Sequence, residues 1–325
     1  MNEPIAVVTV TFSPGVYLKR FIDSLESATS DGYELILADN GSVDGAPERA
    51  AADNTRITFL PTGGNLGYGS AINVAYDHLL TLRERRERRE HDERSEHRDI
   101  NHGDINHRAI NSEYFLISNP DVEFQPGSID ALLNCARQAR ERGEKVAAVG
   151  PLIRQLDGTA YPSARAIPTL SNGIGHALFA SMWPDNPWSR AYRNNAVMDR
   201  QREAGWLSGS CLLVSFDAFA EVGGFDERYF MYMEDVDLGD RFARAGYVNI
   251  FCPDAEITHA VGHAASKLPE KMLPAHHDSA YRFQADRHPG FANLPIRFAL
   301  WLGLRLRSII MVQAARHRRD GVDGG

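Results

Sequence analysis

The sequence predicts an α/β fold, a parallel central sheet with helices on its faces, followed by a helical C-terminal region. Two observations carry this. Short β-branched runs alternate with amphipathic runs through the first half of the chain, the pattern of strands joined by crossover helices. Polar clusters fall where the strand-like runs end, at Ser13-Pro14, Asp39-Asn40 and Asn119-Pro120-Asp121. Ligands of such sheets sit beyond the carboxyl ends of the strands, so these clusters are the first candidates for a site.

Ile5–Phe12 reads as a buried strand stopped by Ser13-Pro14-Gly15. Tyr17–Ala28 has helical spacing, with Leu18, Phe21, Ile22 and Leu25 on one face. Glu34–Ala38 is a second strand and Ile57–Leu60 a third. Gly63-Gly64-Asn65 then turns into a helix carrying Ala71, Ile72, Val74, Ala75 and Leu79. Tyr114–Ser118 is a fourth strand. Before it, Arg83–Asp99 holds seven arginines, seven acids, two histidines and one serine, and so has no apolar face to bury. Residues from about 82 to 111 therefore read as an insertion, either a salt-bridge-laced helical extension or a disordered loop. The second half is less regular. Gln155–Thr159 has Asp-Gly at a hairpin tip, Ala164–Asn195 lacks clear periodicity, and Gly205–Ser215 is strand-like. Phe216–Val222 is a short helix, Val248–Cys252 another strand-like run, and residues 266–325 read as helical.

Apolar residues make up 43% of the 325, enough for a sizeable core. Lys plus Arg number 35 and Asp plus Glu 43, and the net charge of −8 argues against a surface built to grip nucleic acid. Cys135, Cys211 and Cys252 are odd in number and far apart, with no CxxC pair, which fits reduced, packed thiols in a cytosolic protein. The N-terminal segment enters a strand with no basic region before it, so no signal peptide is expected. No uncharged apolar stretch reaches the ~18 residues of a spanning helix.

Four constellations can carry chemistry. Asp39 stops a strand, where a carboxylate can accept a nucleobase N–H or ribose hydroxyls; the alternative is a turn residue, with Ser42 or Asp44 capping the next helix. The glycine-rich Gly63–Gly69 loop permits close backbone approach to a diphosphate, but it is neither GxGxxG nor a Walker A loop. Asp121 is a candidate hard-cation ligand or a turn aspartate, and His259 downstream can complete a mixed oxygen/nitrogen site. Glu234 and Asp235 lie beside Phe230, Met231, Tyr232 and Met233, where partial desolvation raises a carboxyl pKa towards the range of a general base. They also suit a helix N-terminus, with Asp237 and Arg241 spaced as a structural ion pair.

Taken in order, TFSPG, LADNGSVDG, GGNLGYGSAIN, SNPD, WLSGSCLLV, GGFDERYFMYMEDVDLGDR and then His259-x-x-Gly resemble the family 2 glycosyltransferases of GT-A fold, from about Val7 to Ser266. TVTFSPG, the RAIP segment (Arg165–Pro168) and AHHDSAYRF (Ala275–Phe283) are similar to one branch. These are the actinobacterial rhamnosyltransferases of cell-wall linker (arabinogalactan) assembly, which move L-rhamnose from dTDP-rhamnose to N-acetylglucosamine on polyprenyl diphosphate. The resemblance implies a Rossmann-like, mostly parallel sheet over residues 1–265, with a nucleotide-sugar half (1–125) and an acceptor half (126–265). It implies that Asp39 contacts the base, that Thr11 and Ser13 wall its pocket, and that Asn65 and Gly67 lie near the nucleotide. Asp121 and His259 would hold Mg²⁺ or Mn²⁺ on the donor diphosphate. Asp235 would be the base, Glu234 its neighbour, and Trp206, Gly209 and Arg165 the acceptor pocket. One departure stands out: Asn119 replaces the usual first aspartate of the metal motif, which weakens the expected metal site. A single base in the acceptor half implies inversion at the anomeric carbon. The alternatives are a UDP-sugar donor, a polysaccharide acceptor, or a non-catalytic nucleotide-sugar binding protein; retention of Asp121, Glu234, Asp235 and His259 together argues against the last.

The C-terminal region, residues 266–325, adds a basic, amphipathic element. Arg287 to Arg319 holds seven arginines and no acid apart from the chain's final segment beyond it. Phe298, Leu302, Leu306, Ile309 and Ile310 share one helical face, with Arg297, Arg305, Arg307 and Arg316 away from its centre. That is the pattern of an interfacial helix on anionic lipid, and it implies a cytoplasmic enzyme peripheral on the inner face of the membrane. The competing reading is a helix packed on the enzyme or on a second copy of the chain, as a homodimer.

Overall fold

A computed structural model of the chain describes residues 4–95, 112–170, 198–260 and 269–320. Strand β1 (Ile5–Thr11) runs parallel between β2 (Tyr33–Asp39) and β4 (Tyr114–Ser118), with β3 (Ile57–Pro61) outside β2. Helices α1 (Val16–Ala28), α2 (Ala46–Asp53) and α3 (Tyr68–Ser95) connect them. Beyond β4 the sheet continues through β11 (Cys211–Ser215), β6 (Val146–Arg154), β12 (Val248–His259) and β5 (Val122–Phe124). Six of these eight strands run one way; β11 and β5 run against them. The sheet is thus mixed, though mostly parallel. The chain reverses at Ser208-Gly209-Ser210, which splits the strand-like run Gly205–Ser215 into β10 (Trp206–Leu207) and β11. β10 pairs with β8 (Ala164–Arg165) in a separate two-stranded ribbon, while β7 (Ala160–Tyr161) and β9 (Arg202–Ala204) extend the main sheet to ten strands.

Both faces of the sheet are covered, which is why its strands read as unbroken apolar runs. Val7, Leu35, Leu116 and Leu213 face Leu18, Phe21 and Leu25 of α1 and Leu132 and Ala136 of α4 (Ser128–Glu141). Their neighbours Val8, Ile36, Ile117 and Leu212 point the other way. They meet Ala71, Ile72, Ala75 and Leu79 of α3, Phe216 and Phe219 of α5 (Phe216–Glu221), and Leu238 and Phe242 of α6 (Glu234–Arg244). The hairpin forms at Asp157-Gly158, where Gly158 has φ +82° and Thr159 N–H donates to Asp157 Oδ1. The strand-like run Val248–Cys252 continues to His259 as one strand, β12, with a register shift between Cys252 and Glu256 where Pro253 has no N–H to give. Asp237 and Arg241 form the expected ion pair at 2.7 Å.

The charged insertion begins as a continuation of α3 through Ser95; its remainder, the irregular stretch 171–197, and His263 and Ser266 lie outside the described residues. Its first arginine packs: the Arg83 guanidinium sits 4.0 Å above the Phe216 ring and donates to Ser112 O at 2.9 Å. Glu84, Arg85 and Arg88 are exposed. Deleting Arg85–His107 is therefore expected to leave the melting temperature and turnover close to wild type, whereas removing Arg83 as well uncovers the Phe216 cluster and lowers the melting temperature. Loss of folding in the shorter deletion would show that the segment packs.

The C-terminal region forms α7 (Pro269–Arg287), a 3₁₀ turn (Phe291–Asn293) and α8 (Leu294–Asp320), which packs back along α7.

Candidate active site

The polar strand ends gather at one edge of the sheet. At the end of β2, Asp39 is buried and accepts four hydrogen bonds: from Thr11 Oγ1 (2.7 Å), Ser42 Oγ (2.5 Å), Gly41 N (3.0 Å) and Ser42 N (2.9 Å). Burial by itself raises its pKa, but the hydroxyl and amide donors outweigh burial and hold the carboxyl below its usual range. Asp39 thus organises the loop as an anion. Ser13 lies beside it with φ +53°, exchanging bonds with the next loop: its N–H donates to Ser42 Oγ (2.8 Å), and its Oγ accepts from Val43 N (3.0 Å). Phe12 and Val43, 60% and 93% exposed, flank this contact and present apolar surface at the strand end. The strand expected over Ile5–Phe12 ends at Thr11, so Phe12 turns outward where burial was expected, and Val43, an exposed apolar residue next to a turn, carries no periodic signal.

The glycine-rich loop is tied to the same corner. Asn40 Nδ2 donates to Gly67 O (3.0 Å), and Asn65 Oδ1 accepts from Gly67 N (3.2 Å). Gly67, at φ +88°, lies so close to the acceptor-half backbone that a Cβ there would come 2.4 Å from Phe230 O. Any side chain at 67 must push the two loops apart.

At the end of β4, Asn119 N–H donates to Ser210 O (2.9 Å) and turns the chain into Asp121. β5 pairs with the end of β12, which sets His259 opposite Val122. The result is a contact across 138 residues: His259 Nε2 is 3.0 Å from Asp121 Oδ1 and 3.5 Å from Asn119 Nδ2. One carboxylate and one imidazole suit a hard divalent cation that completes its shell with diphosphate oxygens and water. Among the described residues no cluster of three or more His, Cys, Asp or Glu forms a complete protein cage. The donor set therefore fits a cation shared with a bound diphosphate better than a resident structural ion.

In the second half of the chain, α6 begins at Glu234. The two residues before it, Tyr232 and Met233, both hold φ +67°, a left-handed pair that costs about 1–3 kcal/mol per residue and must be held from outside. Asp235 Oδ2 accepts from Gly209 N (3.0 Å) and Oδ1 from Val236 N (2.8 Å). Burial raises the Asp235 pKa, against the Gly209 and Val236 N–H groups and the charge of Arg165. Glu234 is pushed up to about 8, by burial and then by the Asp235 charge, and its Oε2 has no hydrogen-bond partner. The pair thus offers one hydrogen-bonded carboxylate and one neighbour that holds its proton near neutrality. Arg165 and Trp206 are brought side by side by the β8–β10 pairing; the guanidinium lies 5.8 Å from the Trp206 ring, and Trp206 Nε1 donates to Ala166 O (3.2 Å).

The strained turn is braced by α7. Ser279 Oγ donates to Met231 O (2.9 Å), and the His276 ring meets Tyr232 edge-on with centroids 5.3 Å apart. Phe283 is buried against Tyr229 and Val236, and Arg287 pairs with Asp240 of α6. The AHHDSAYRF segment therefore supports the turn that precedes Glu234. Its signal was present in the spacing, since Ser279, Phe283 and Arg287 are four apart on one helical face.

A mostly parallel sheet with a carboxylate–imidazole pair at one strand end and an acid pair, Glu234 buried and Asp235 half-buried, opening α6 describes a GT-A glycosyltransferase. The chain belongs to glycosyl transferase family 2. That family's model, "Glycosyl transferase family 2", matches residues 6–80. The chain is 45% identical over 318 residues, 98% of its length and 96% of the relative's, to an N-acetylglucosaminyl-diphospho-decaprenol L-rhamnosyltransferase of Mycobacterium tuberculosis. It is 23% identical over 279 residues, covering 86% of this chain and 92% of the relative, to the Escherichia coli rhamnosyltransferase WbbL. Its fold is similar to that of a Pyrobaculum calidifontis mannosyltransferase solved with GDP-Man and Mn²⁺, at a TM-score of 0.54 and 16% identity, covering 100% of this chain and 76% of that one. The expected family and its enzymatic class are borne out.

Proposed function

We propose that this enzyme transfers L-rhamnose from dTDP-rhamnose to the N-acetylglucosamine of a polyprenyl-diphosphate acceptor, with inversion and with Mg²⁺ or Mn²⁺. The observation that carries this reading is the 45% identity over nearly the whole chain to a rhamnosyltransferase named for that acceptor. On this reading Thr11, Ser13 and Asp39 shape the base pocket, and Asn65 and Gly67 the nucleotide loop. Asp121 and His259 would hold the cation. When bound, it offsets the charge developing on the departing diphosphate. Arg165, Trp206 and Gly209 border the acceptor.

The chemistry is a single displacement. The acceptor hydroxyl oxygen bonds to the anomeric carbon as the bond from that carbon to the β-phosphate oxygen breaks, through an oxocarbenium-like state. Asp235 accepts the hydroxyl proton, and dTDP leaves with the bonding electrons. Glu234 keeps its own proton near neutrality, so one base acts on one face, which supports inversion.

The test is a transfer assay with dTDP-rhamnose and a lipid-diphosphate-N-acetylglucosamine analogue, run beside a panel of UDP-sugars and with product stereochemistry read by NMR. β-Configured donor giving α-linked product supports the reading. Preference for a UDP-sugar, or retention, would sink it.

The acceptor's lipid favours a membrane-bound enzyme working from the inner leaflet. No described helix is long and apolar enough to cross a membrane. α8 packs on α7 through one face while Phe298 and Ile310 stay 63% and 65% exposed on another, and Phe298 stacks with Trp301 at 6.0 Å. With Arg297, Arg305 and Arg307 on the same helix, this face suits an anionic lipid surface. Truncation before Leu294 is expected to abolish binding to anionic vesicles while sparing transfer to a soluble acceptor, and salt should weaken binding of the full chain. Equal vesicle binding by both proteins would reject this role. A concentration-dependent dimer lost on truncation would assign the face to a second copy.

A further inference from the structure

We propose that Tyr68, at the junction of the glycine-rich loop and α3, is a positioning residue for Asp235. Its phenol pins the Gly209 carbonyl, and so aims the Gly209 N–H at the carboxylate. The proposal rests on the reading of Asp235 as general base.

Three observations carry it. Tyr68 Oη donates to Gly209 O at 2.5 Å, and Gly209 N donates to Asp235 Oδ2 at 3.0 Å. The chain on either side of Gly209 is anchored elsewhere: Ser208 N–H donates to Ser163 O (2.7 Å), and Ser210 O accepts from Asn119 N (2.9 Å). The two peptide planes that meet at Gly209 are held mainly by Asp235 and Tyr68, with a long 3.4 Å contact from Ser210 N to Ser208 Oγ. A glycine has no Cβ to restrict rotation, so these bonds set its orientation. Gly209 sits directly between the two side chains: a Cβ built there would touch both, 3.4 Å from Asp235 Cβ and 3.5 Å from Tyr68 Cε1, at ordinary contact distance.

Tyr68 is itself fixed from both halves. Its N–H donates to Phe230 O (3.3 Å), its ring meets Phe225 edge-on at 6.1 Å, and the preceding Gly67 is held by Asn40. Burial first, then the surrounding acidic groups Glu234, Asp235, Cys211 and Asp121, raise the phenol's pKa and keep it protonated, so it remains a donor. The groups facing Asp235 are Glu234 on its own helix, Arg165 from β8 and Tyr68 from α3. The Gly209 N–H favours the ionised form of Asp235 against burial. Loosening Gly209 should therefore raise the pKa at which the base ionises.

The experiment is Tyr68→Phe in the full-length enzyme, assayed with dTDP-rhamnose and the lipid-diphosphate acceptor analogue from acidic to alkaline pH. Phenylalanine keeps the ring contact with Phe225, and a melting curve with a dTDP titration checks fold and donor site. We expect kcat to fall about tenfold, the loss of one buried hydrogen bond, with donor affinity unchanged and the acid limb of the rate profile moved to higher pH. In an Asp235→Asn background the same change should cost no further activity, because the group it positions is gone. An equal loss at every pH, or the full tenfold loss on top of Asp235→Asn, would make Tyr68 a packing residue and overturn the proposal. If Asp235→Asn alone transfers at wild-type rate, it is the base assignment that has failed.

Discussion

Asp235→Asn is expected to lower transfer by about 10²–10⁴-fold, the usual worth of a general base, with donor affinity almost unchanged. Asparagine keeps the acceptor for the Gly209 N–H bond and the first-turn geometry of α6, so the loss isolates the proton transfer. The sign of the pH dependence follows. The base must be ionised, burial raises its pKa, and activity therefore rises with pH through an acid limb placed above the range of an ordinary aspartate. Glu234→Gln should be far milder near neutrality, because a carboxyl with a pKa of about 8 already resembles an amide there. Its clearest signature lies in stability. A folded pKa above the unfolded one means that the native state binds more protons between the two values, so stability falls as pH rises through that window. Glu234→Gln removes this fall, and its melting temperature should exceed that of wild type above pH ~8. Near wild-type transfer by Asp235→Asn would move the base to Glu234.

Asp121→Ala and His259→Ala should each reduce kcat/KM by about 10²–10³-fold, several kcal/mol of lost charge stabilisation on the leaving diphosphate. Divalent-cation titrations should shift to higher concentration in both. The two residues touch at 3.0 Å, so their effects should be strongly non-additive in the double variant. Because the protein supplies only this pair among the described residues, calorimetry should find weak cation binding without dTDP and tighter binding with it. Asn119→Asp adds a carboxylate beside His259 and should tighten cation binding relative to wild type. Wild-type metal titrations in both alanine variants would place the cation elsewhere.

Much of this molecule was legible in one dimension. The first four strands and their helices were, because burial on both sheet faces writes long apolar runs and a helix against a sheet writes a 3.6-residue stripe. The strand-end carboxylates Asp39 and Asp121 were legible for the same reason, since a parallel sheet presents its strand ends together. The acid pair stood out by its aromatic and methionine flank, and both its members are first-turn acids of α6, Glu234 buried and Asp235 half-buried. The short second-half elements were harder. β8, β10 and β9 span two or three residues each, too few to show any period, and the reversal that makes β11 antiparallel is a local turn at Gly209.

By itself, then, the sequence determined the class of fold, the glycosyltransferase resemblance and the residue types at each strand end, all of which depend on periodicity and chemistry within a few neighbours. The tertiary structure decided which of those residues meet. Asp121 and His259 come together only because β5 pairs with the end of β12. Asp235 meets Gly209 and Tyr68 only because β11 lies beside β4 and returns the chain to the mouth of the glycine-rich loop. The left-handed turn before Glu234 is held by Ser279, 48 residues after its partner Met231. Such contacts are set by strand order and by the burial of whole faces. Those are sums over the entire chain, and no local pattern encodes them.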